Sequence, residues 1–166
     1  MNYGQIRKYD VANGPGIRTT FFLTGCDRNC PNCFNRDYMD FSFGKKWDRA
    51  AEEEVISYLK LREVEGLTVL GGEPFENPLG LKKALINIRK EVDKSIWVYT
   101  GFKIEDLMNM KLAREILEEI DVLVDGEFIE DLKDLKLKFR GSSNQRIIDV
   151  RKTLENNEII ILDGYK

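Results

Sequence analysis

The sequence predicts an α/β fold: a partial, open (β/α) barrel on a mainly parallel sheet. Three observations predict it. Short apolar runs alternate with amphipathic ones along the chain, the pattern of strands joined by helical crossovers. Four of the apolar runs end in a glycine-bearing turn that also carries a ligand-capable residue, and in parallel α/β folds the site lies at the carboxyl ends of the strands. The chain has 166 residues, too few for a closed eight-stranded barrel, which takes about 200 or more. The barrel is therefore expected to stay open, with a mouth that admits something large.

The elements follow in order. Thr19–Leu23 (TTFFL) reads as a strand and runs into TGC. Asp48 is placed to cap a helix in which Ala51, Val55, Tyr58 and Leu59 share a face, and Glu52 to Glu54 suit its first turns. Leu67–Leu70 (LTVL) is a second strand, followed by GGEP. Pro78 opens a helix striped by Leu81, Leu85, Ile88 and Val92, since proline is tolerated at a first helical position. Ile96–Tyr99 (IWVY) is a third strand and meets TGF. Ala113, Ile116, Leu117 and Ile120 mark another helix, preceded by a short one near Ile104. Val122–Val124 (VLV) is a fourth strand and meets DGEF. From Leu135 the alternation breaks, and Ile147–Val150 and Ile159–Leu162 read as further strands. Residues 1–166 are expected to form a single domain.

Composition narrows the class. With 42% hydrophobic and 33% charged residues, the chain reads as a soluble globular protein. A net charge of −3 gives no electrostatic footprint for nucleic acid or an anionic membrane. No run approaches a membrane span, and a start containing Arg7, Lys8 and Asp10 does not look like a secretory signal. The expected compartment is the cytoplasm, where thiols stay reduced.

The chemistry is concentrated in GCDRNCPNC, which begins at Gly25 and holds all three cysteines of the chain, Cys26, Cys30 and Cys33, while histidine is absent. An odd, clustered count argues against a disulfide framework. A structural zinc site needs four ligands and would have to recruit a carboxylate or another subunit. A catalytic zinc site with three cysteines, as in nucleobase deaminases, carries a Pro-Cys-x-x-Cys piece and a distant first ligand, whereas here Pro31 follows Cys30. An ordinary ferredoxin cluster takes four cysteines. A cluster held by three would leave one iron free to coordinate a substrate, as the open position of a catalytic zinc does.

Other segments offer lining. Gly71 and Gly72 permit close approach of backbone to a ligand, and Glu73 is suited to accept hydrogen bonds from an ammonium. Thr100, Gly101 and Asp125 stand at predicted strand ends and are candidates for a pocket wall, or for capping helices and turns. Asn13–Gly16 (NGPG) reads as a turn, or as a place where a partner's peptide approaches.

The cysteine spacing C-x-x-x-C-x-x-C is that of the radical S-adenosylmethionine superfamily. NGPGIRTTFFLTGC at Asn13 resembles the opening segment of glycyl-radical-enzyme activases, and GGEP at Gly71 resembles the superfamily's second motif. IWVYTGF at Ile96, VLVDGEF at Val122 and FRGSSNQRII at Phe139 are together similar to the anaerobic ribonucleotide reductase activating proteins. The similarity runs over nearly the whole chain, with its motifs in order. It departs from the wider superfamily at Asn32, where an aromatic residue often precedes the third cysteine; here the aromatic is Phe34, after Cys33.

This resemblance implies a radical S-adenosylmethionine partial barrel with one 4Fe–4S cluster held by Cys26, Cys30 and Cys33. S-adenosylmethionine would chelate the iron that has no cysteine, and backbone from Asn32 to Phe34 would meet its adenine. GGEP would meet its methionine end. Reductive cleavage would give methionine and a 5′-deoxyadenosyl radical, which in this family takes a hydrogen from a glycine of the reductase's large subunit. An activase of another glycyl radical enzyme, such as formate acetyltransferase, is the alternative, and the tail motif argues against it. Outside that chemistry stand an electron-transfer module and a zinc-binding interaction module. With no cysteines left for a second cluster, the electron is expected from an external one-electron donor. An open mouth leaves a radical exposed to water, so the protein substrate is expected to help cover the site.

Overall fold

Four apolar runs build the parallel centre of the sheet. In a computed structural model of the chain, which describes residues 1–162, 164 and 165, they are β2 (Arg18–Leu23), β4 (Gly66–Gly71), β5 (Ser95–Tyr99) and β6 (Val122–Asp125), after β1 (Asn2–Asp10) and the two-residue β3 (Lys45–Lys46). A seventh strand, β7 (Arg146–Asp149), completes the order β3-β1-β2-β4-β5-β6-β7. Pairing is parallel from β2 through β6 and antiparallel at both margins, β1 on β2 and β7 on β6. The architecture is thus α/β with a largely parallel, open sheet.

Helices cross between the parallel strands where the stripes predict them. Helix α1 (Arg49–Leu59) is capped by Asp48, whose carboxylate accepts from the Ala51 N–H at 3.0 Å. Its core face is Ala51, Val55 and Leu59; Tyr58, expected on that face, stays half-buried because its hydroxyl donates to the exposed Glu54. Helix α2 (Pro78–Glu91) opens on Pro78 and buries Leu81, Ala84, Leu85 and Ile88, while Val92 is already extended beyond its end. The short α3 (Ile104–Met108) and α4 (Lys111–Leu117) lead back into β6.

Strand alternation divides the buried side chains between two faces. Phe21, Leu67, Val69, Ile96, Val98 and Leu123 pack with the helices in the main core. Trp97, Val122, Val124 and Ile147 form a smaller cluster on the other face, with Phe139, Leu162 and Tyr165 against it. Each large apolar side chain so buried contributes about 1.5–3 kcal/mol.

Three elements differ from expectation. β1 gives no apolar run, because most of its residues are partly or fully solvated. The expected strand Ile147–Val150 is Arg146–Asp149, and Val150 instead starts α5 (Val150–Asn156), where Asp149 caps the Lys152 N–H at 3.0 Å. Ile159–Leu162 makes only an isolated bridge, Ile148 to Ile161, with flanking backbone bonds to Asp149 and Ile147.

Candidate active site

The four glycine turns meet at one rim, where hydrogen bonds stitch each to the next. The Gly72 N–H donates to the Leu23 carbonyl and the Glu73 N–H to the Gly25 carbonyl, each at 2.8 Å. The Thr100 N–H reaches the Val124 carbonyl at 2.9 Å, and the Gly126 N–H the Phe102 carbonyl at 3.0 Å. Glu73 ties the middle of this rim. Its Oε1 accepts from the Thr100 hydroxyl at 2.8 Å and from the Phe75 N–H at 3.1 Å, and its Oε2 from the Gly101 N–H at 2.8 Å. The side chain is buried, and burial pushes its pKa up to about 7 against the opposing effect of those three donors.

The cysteine loop lies over this rim. Gly71 and Gly72 are required by backbone that passes close beneath it. Gly71 has φ 126°, and a Cβ there would stand 2.1 Å from the Leu23 carbonyl oxygen. A Cβ on Gly72 would stand 2.5 Å from the Gly25 carbonyl oxygen and 2.6 Å from that of Tyr38. The loop is anchored by the Gly25 and Cys26 N–H groups on the Tyr38 and Met39 carbonyls. It then bends through Asn29 and Asn32, at φ 51° and 55°, a left-handed conformation that asparagine tolerates.

Cys26, Cys30 and Cys33 are free thiols and all three line one cavity of about 550 Å³, together with Phe34, Gly71, Gly72, Glu73 and Thr100. That is the size of a small-molecule site. Burial pushes the Cys26 thiol up to about 11, and Cys30 is raised by burial and by the neighbouring Glu127 carboxylate. Such thiols ionise when a metal supplies positive charge. The donor set fits an iron–sulfur cluster: thiol sulfurs only, on one short loop, opening on a shared cavity. Among the described residues no three Cys, Asp or Glu side chains gather as ligands of a single ion.

A family model described as a 4Fe-4S single cluster domain matches residues 12–148. The chain is 38% identical over 156 residues to the anaerobic ribonucleoside-triphosphate reductase-activating protein of Escherichia coli (strain K12), covering 91% of this chain and 100% of that protein. Identity to the protein of that name from Haemophilus influenzae is 41% over 153 residues, covering 89% and 97%. For the one from Enterobacteria phage T4 it is 35% over 150 residues, covering 89% and 93%. The chain belongs to the anaerobic ribonucleoside-triphosphate reductase-activating proteins.

Not every expected site residue of this family member comes to the cavity. Asp125 is fully buried and turned away from it. One carboxylate oxygen caps α3 by accepting from the Ile104 N–H at 2.9 Å, and the other accepts from Arg146 Nε, also at 2.9 Å. Arg146 in turn holds Glu105 through two bonds of 3.0 and 2.7 Å, which draws that carboxyl down to about 2. Asn32 shapes the loop but is not a wall of the cavity; its neighbours Cys33 and Phe34 are.

The polar tail segment Arg140–Arg146, a run of hydrogen-bond donors and acceptors, ties the rim. Gln145 accepts from the Gly141 and Ser142 N–H groups and donates to the Gly126 carbonyl, and Asn144 donates to the Glu127 carbonyl. In NGPG, Gly14 packs on the Arg18 side chain and the Asn13 carbonyl accepts from the Thr68 hydroxyl, and Asn13 lines the cavity. Arg28, Phe128 and Leu137 also line the cavity and were not expected there; Arg140, from the tail segment that the resemblance assigns to the site or the partner contact, lines it as well. Arg28 sits in the cysteine spacing itself, and Arg140 in the tail motif; nothing in either segment alone says which way the side chain turns.

Proposed function

We infer that this chain activates an anaerobic ribonucleoside-triphosphate reductase by cleaving S-adenosylmethionine and generating a glycyl radical on the reductase's large subunit. The observation that carries the reading is the set of three thiols, with no histidine in the chain, on a cavity of nucleoside size. A 4Fe–4S cluster on three thiolates keeps one iron for the substrate and, when reduced, supplies the electron that breaks the sulfonium carbon–sulfur bond.

The chain's own residues bind and orient. Cys26, Cys30 and Cys33 hold the cluster. Backbone at Cys33 and Phe34 would meet the adenine of S-adenosylmethionine, and the backbone of Gly71 and Gly72 would meet its methionine end, since all four residues line the cavity. Glu73 acts through the turns it fixes, because its oxygens already serve Thr100, Gly101 and Phe75. Phe34 and Phe128, with rings 5.0 Å apart, put an apolar edge on the cavity that restricts water. Phe34 is 65% exposed, so the edge is completed only when polypeptide covers it, a task suited to the reductase. No helix among the described residues is long and apolar enough to cross a membrane. The activity belongs to a reducing cytoplasm with an external one-electron donor.

The test is anaerobic reconstitution with iron and sulfide, then mixing with S-adenosylmethionine, a one-electron reductant and the reductase large subunit. A glycyl radical in the electron paramagnetic resonance spectrum is expected. Cys26→Ala, Cys30→Ala and Cys33→Ala should each lose the cluster and the radical, since no spare cysteine or histidine exists. One zinc per chain, or full radical yield from a cysteine variant, would sink the reading.

A further inference from the structure

Arg28 lies in the middle of the cysteine loop, two residues after Cys26 and two before Cys30. Its side chain reaches neither thiol as a hydrogen-bonding partner but crosses the rim to two other strand exits. At the exit of β5 its guanidinium sits over the Phe102 ring, 4.9 Å from the centroid. The stem fits against Gly101, where a Cβ would stand 2.4 Å from Arg28 Nε and 2.8 Å from its Cδ. At the exit of β6 a terminal nitrogen lies 3.7 Å from the Glu127 carboxylate. Nε is buried and has no hydrogen-bond partner, so packing and charge hold this side chain, not a network of donors. Glu127 also accepts from the Cys30 thiol, at 3.5 Å.

We propose that Arg28 is a positioning residue for the cluster: it clamps the cysteine loop to the exits of β5 and β6, and its fixed cation makes the bound cluster easier to reduce. The proposal rests on the cluster reading above. The clamp follows from the seat. A side chain at position 101 would collide with the Arg28 stem in the position that brings its guanidinium over the Phe102 ring, a placement favoured by the attraction of a cation to an aromatic face. The electrostatic part follows from charge balance. Reduction adds one negative charge to a group already carrying three thiolates, beside the Glu127 carboxylate, and net charge around a cluster sets its potential. Arg28 is the cation that meets Glu127 at this point.

The experiment is a redox titration of the reconstituted chain, followed by the spin signal of the reduced cluster, on wild type, Arg28→Met and Arg28→Lys. Arg28→Met keeps an apolar stem on Phe102 and removes the charge; it should shift the reduction equilibrium roughly tenfold toward the oxidised cluster, about 59 mV downward for one electron. Arg28→Lys restores the charge and should recover most of that shift. A wild-type potential in Arg28→Met overturns the proposal, and so does an equal drop in Arg28→Lys. A wild-type chain that assembles no cluster overturns the cluster reading and this proposal with it, whereas a normal wild-type cluster with an unmoved Arg28→Met potential overturns the proposal alone.

Discussion

The two ends of the sheet bury opposite charges by the same means and to different ends. At the amino end Arg18, 1% exposed, spends its donors on neutral oxygens: the Thr68 hydroxyl at 2.7 Å, the Ser95 hydroxyl at 3.1 Å, and the Leu67 and Ser95 carbonyls at 2.6 and 3.0 Å. At the carboxyl end Glu73, also 1% exposed, draws its three bonds from neutral donors. Burial lowers the Arg18 pKa to about 10, which leaves it a cation at neutral pH. The same effect raises Glu73 to about 7, which leaves it near balance. The floor is fixed in one charge state; the rim around the cavity is not.

The glycines make the same contrast. Gly14, at the floor, makes room for the side chain of Arg18, whose Cδ a Cβ would meet at 2.6 Å. Gly72, at the rim, makes room for the carbonyls of Gly25 and Tyr38. A side chain has other rotamers, while a hydrogen-bonded backbone has few. The largest effect is therefore expected from Gly72→Val. Its branched Cβ would lift the cysteine loop off the rim, and the reconstituted protein should retain little or no iron while the helices and central strands persist in the far-ultraviolet circular dichroism spectrum. Normal iron content in Gly72→Val would break the contrast, showing that the loop tolerates displacement.

The floor should respond through stability instead. Arg18→Met removes the donors to the Leu67 and Ser95 carbonyls and empties the space over the Trp97 ring, 5.4 Å from the guanidinium. Each buried polar group left unsatisfied costs about 1–3 kcal/mol, so a loss on the order of 3–4 kcal/mol is expected in urea unfolding of the cluster-free chain. Where the variant stays folded, its iron content after reconstitution should match wild type. Iron loss at full stability would mean that the floor and the rim are one unit.

What was legible in the sequence follows the same division between local and distant causes. The four central strands and their glycine exits announce themselves because burial on both faces demands unbroken apolar runs. Asp48 and Pro78 mark their helices because caps act over one turn. The cysteine loop was legible because its ligand spacing is local. β1 was not, since its pairing with β2 needs no apolar run: residues such as Gln5, Arg7 and Lys8 face solvent at least in part. Asp125 and Glu73 look alike on the page, each an acid beside a strand-end glycine. Their roles are set by partners far along the chain, Ile104 and Arg146 for one, Thr100 and Gly101 for the other. Only the folded sheet decides that Glu73 borders the cavity and Asp125 does not.

The smallest expected effect sharpens the charge contrast directly. The folded pKa of Glu73, about 7, lies above its ordinary 4.5, so between those values the folded chain keeps a proton that the unfolded chain has released. Stability from this group is then fully present below about 4.5 and is lost as pH rises through about 7. No histidine titrates in that window, because the chain has none. Carboxyls held low, such as Asp121 beside Arg89 and Arg151, slope the other way at more acid pH and do so equally in a variant. Glu73→Gln cannot ionise, and its unfolding free energy should be flatter across the window. The difference between the two curves should change by on the order of 2 kcal/mol from one end to the other. The measurement is urea unfolding of the cluster-free proteins at about pH 5, 6, 7 and 8. Parallel curves would mean that Glu73 keeps its charge on folding, held by Thr100, Gly101 and Phe75 as firmly as Arg18 is held at the floor, and the two ends would then bury their charges alike.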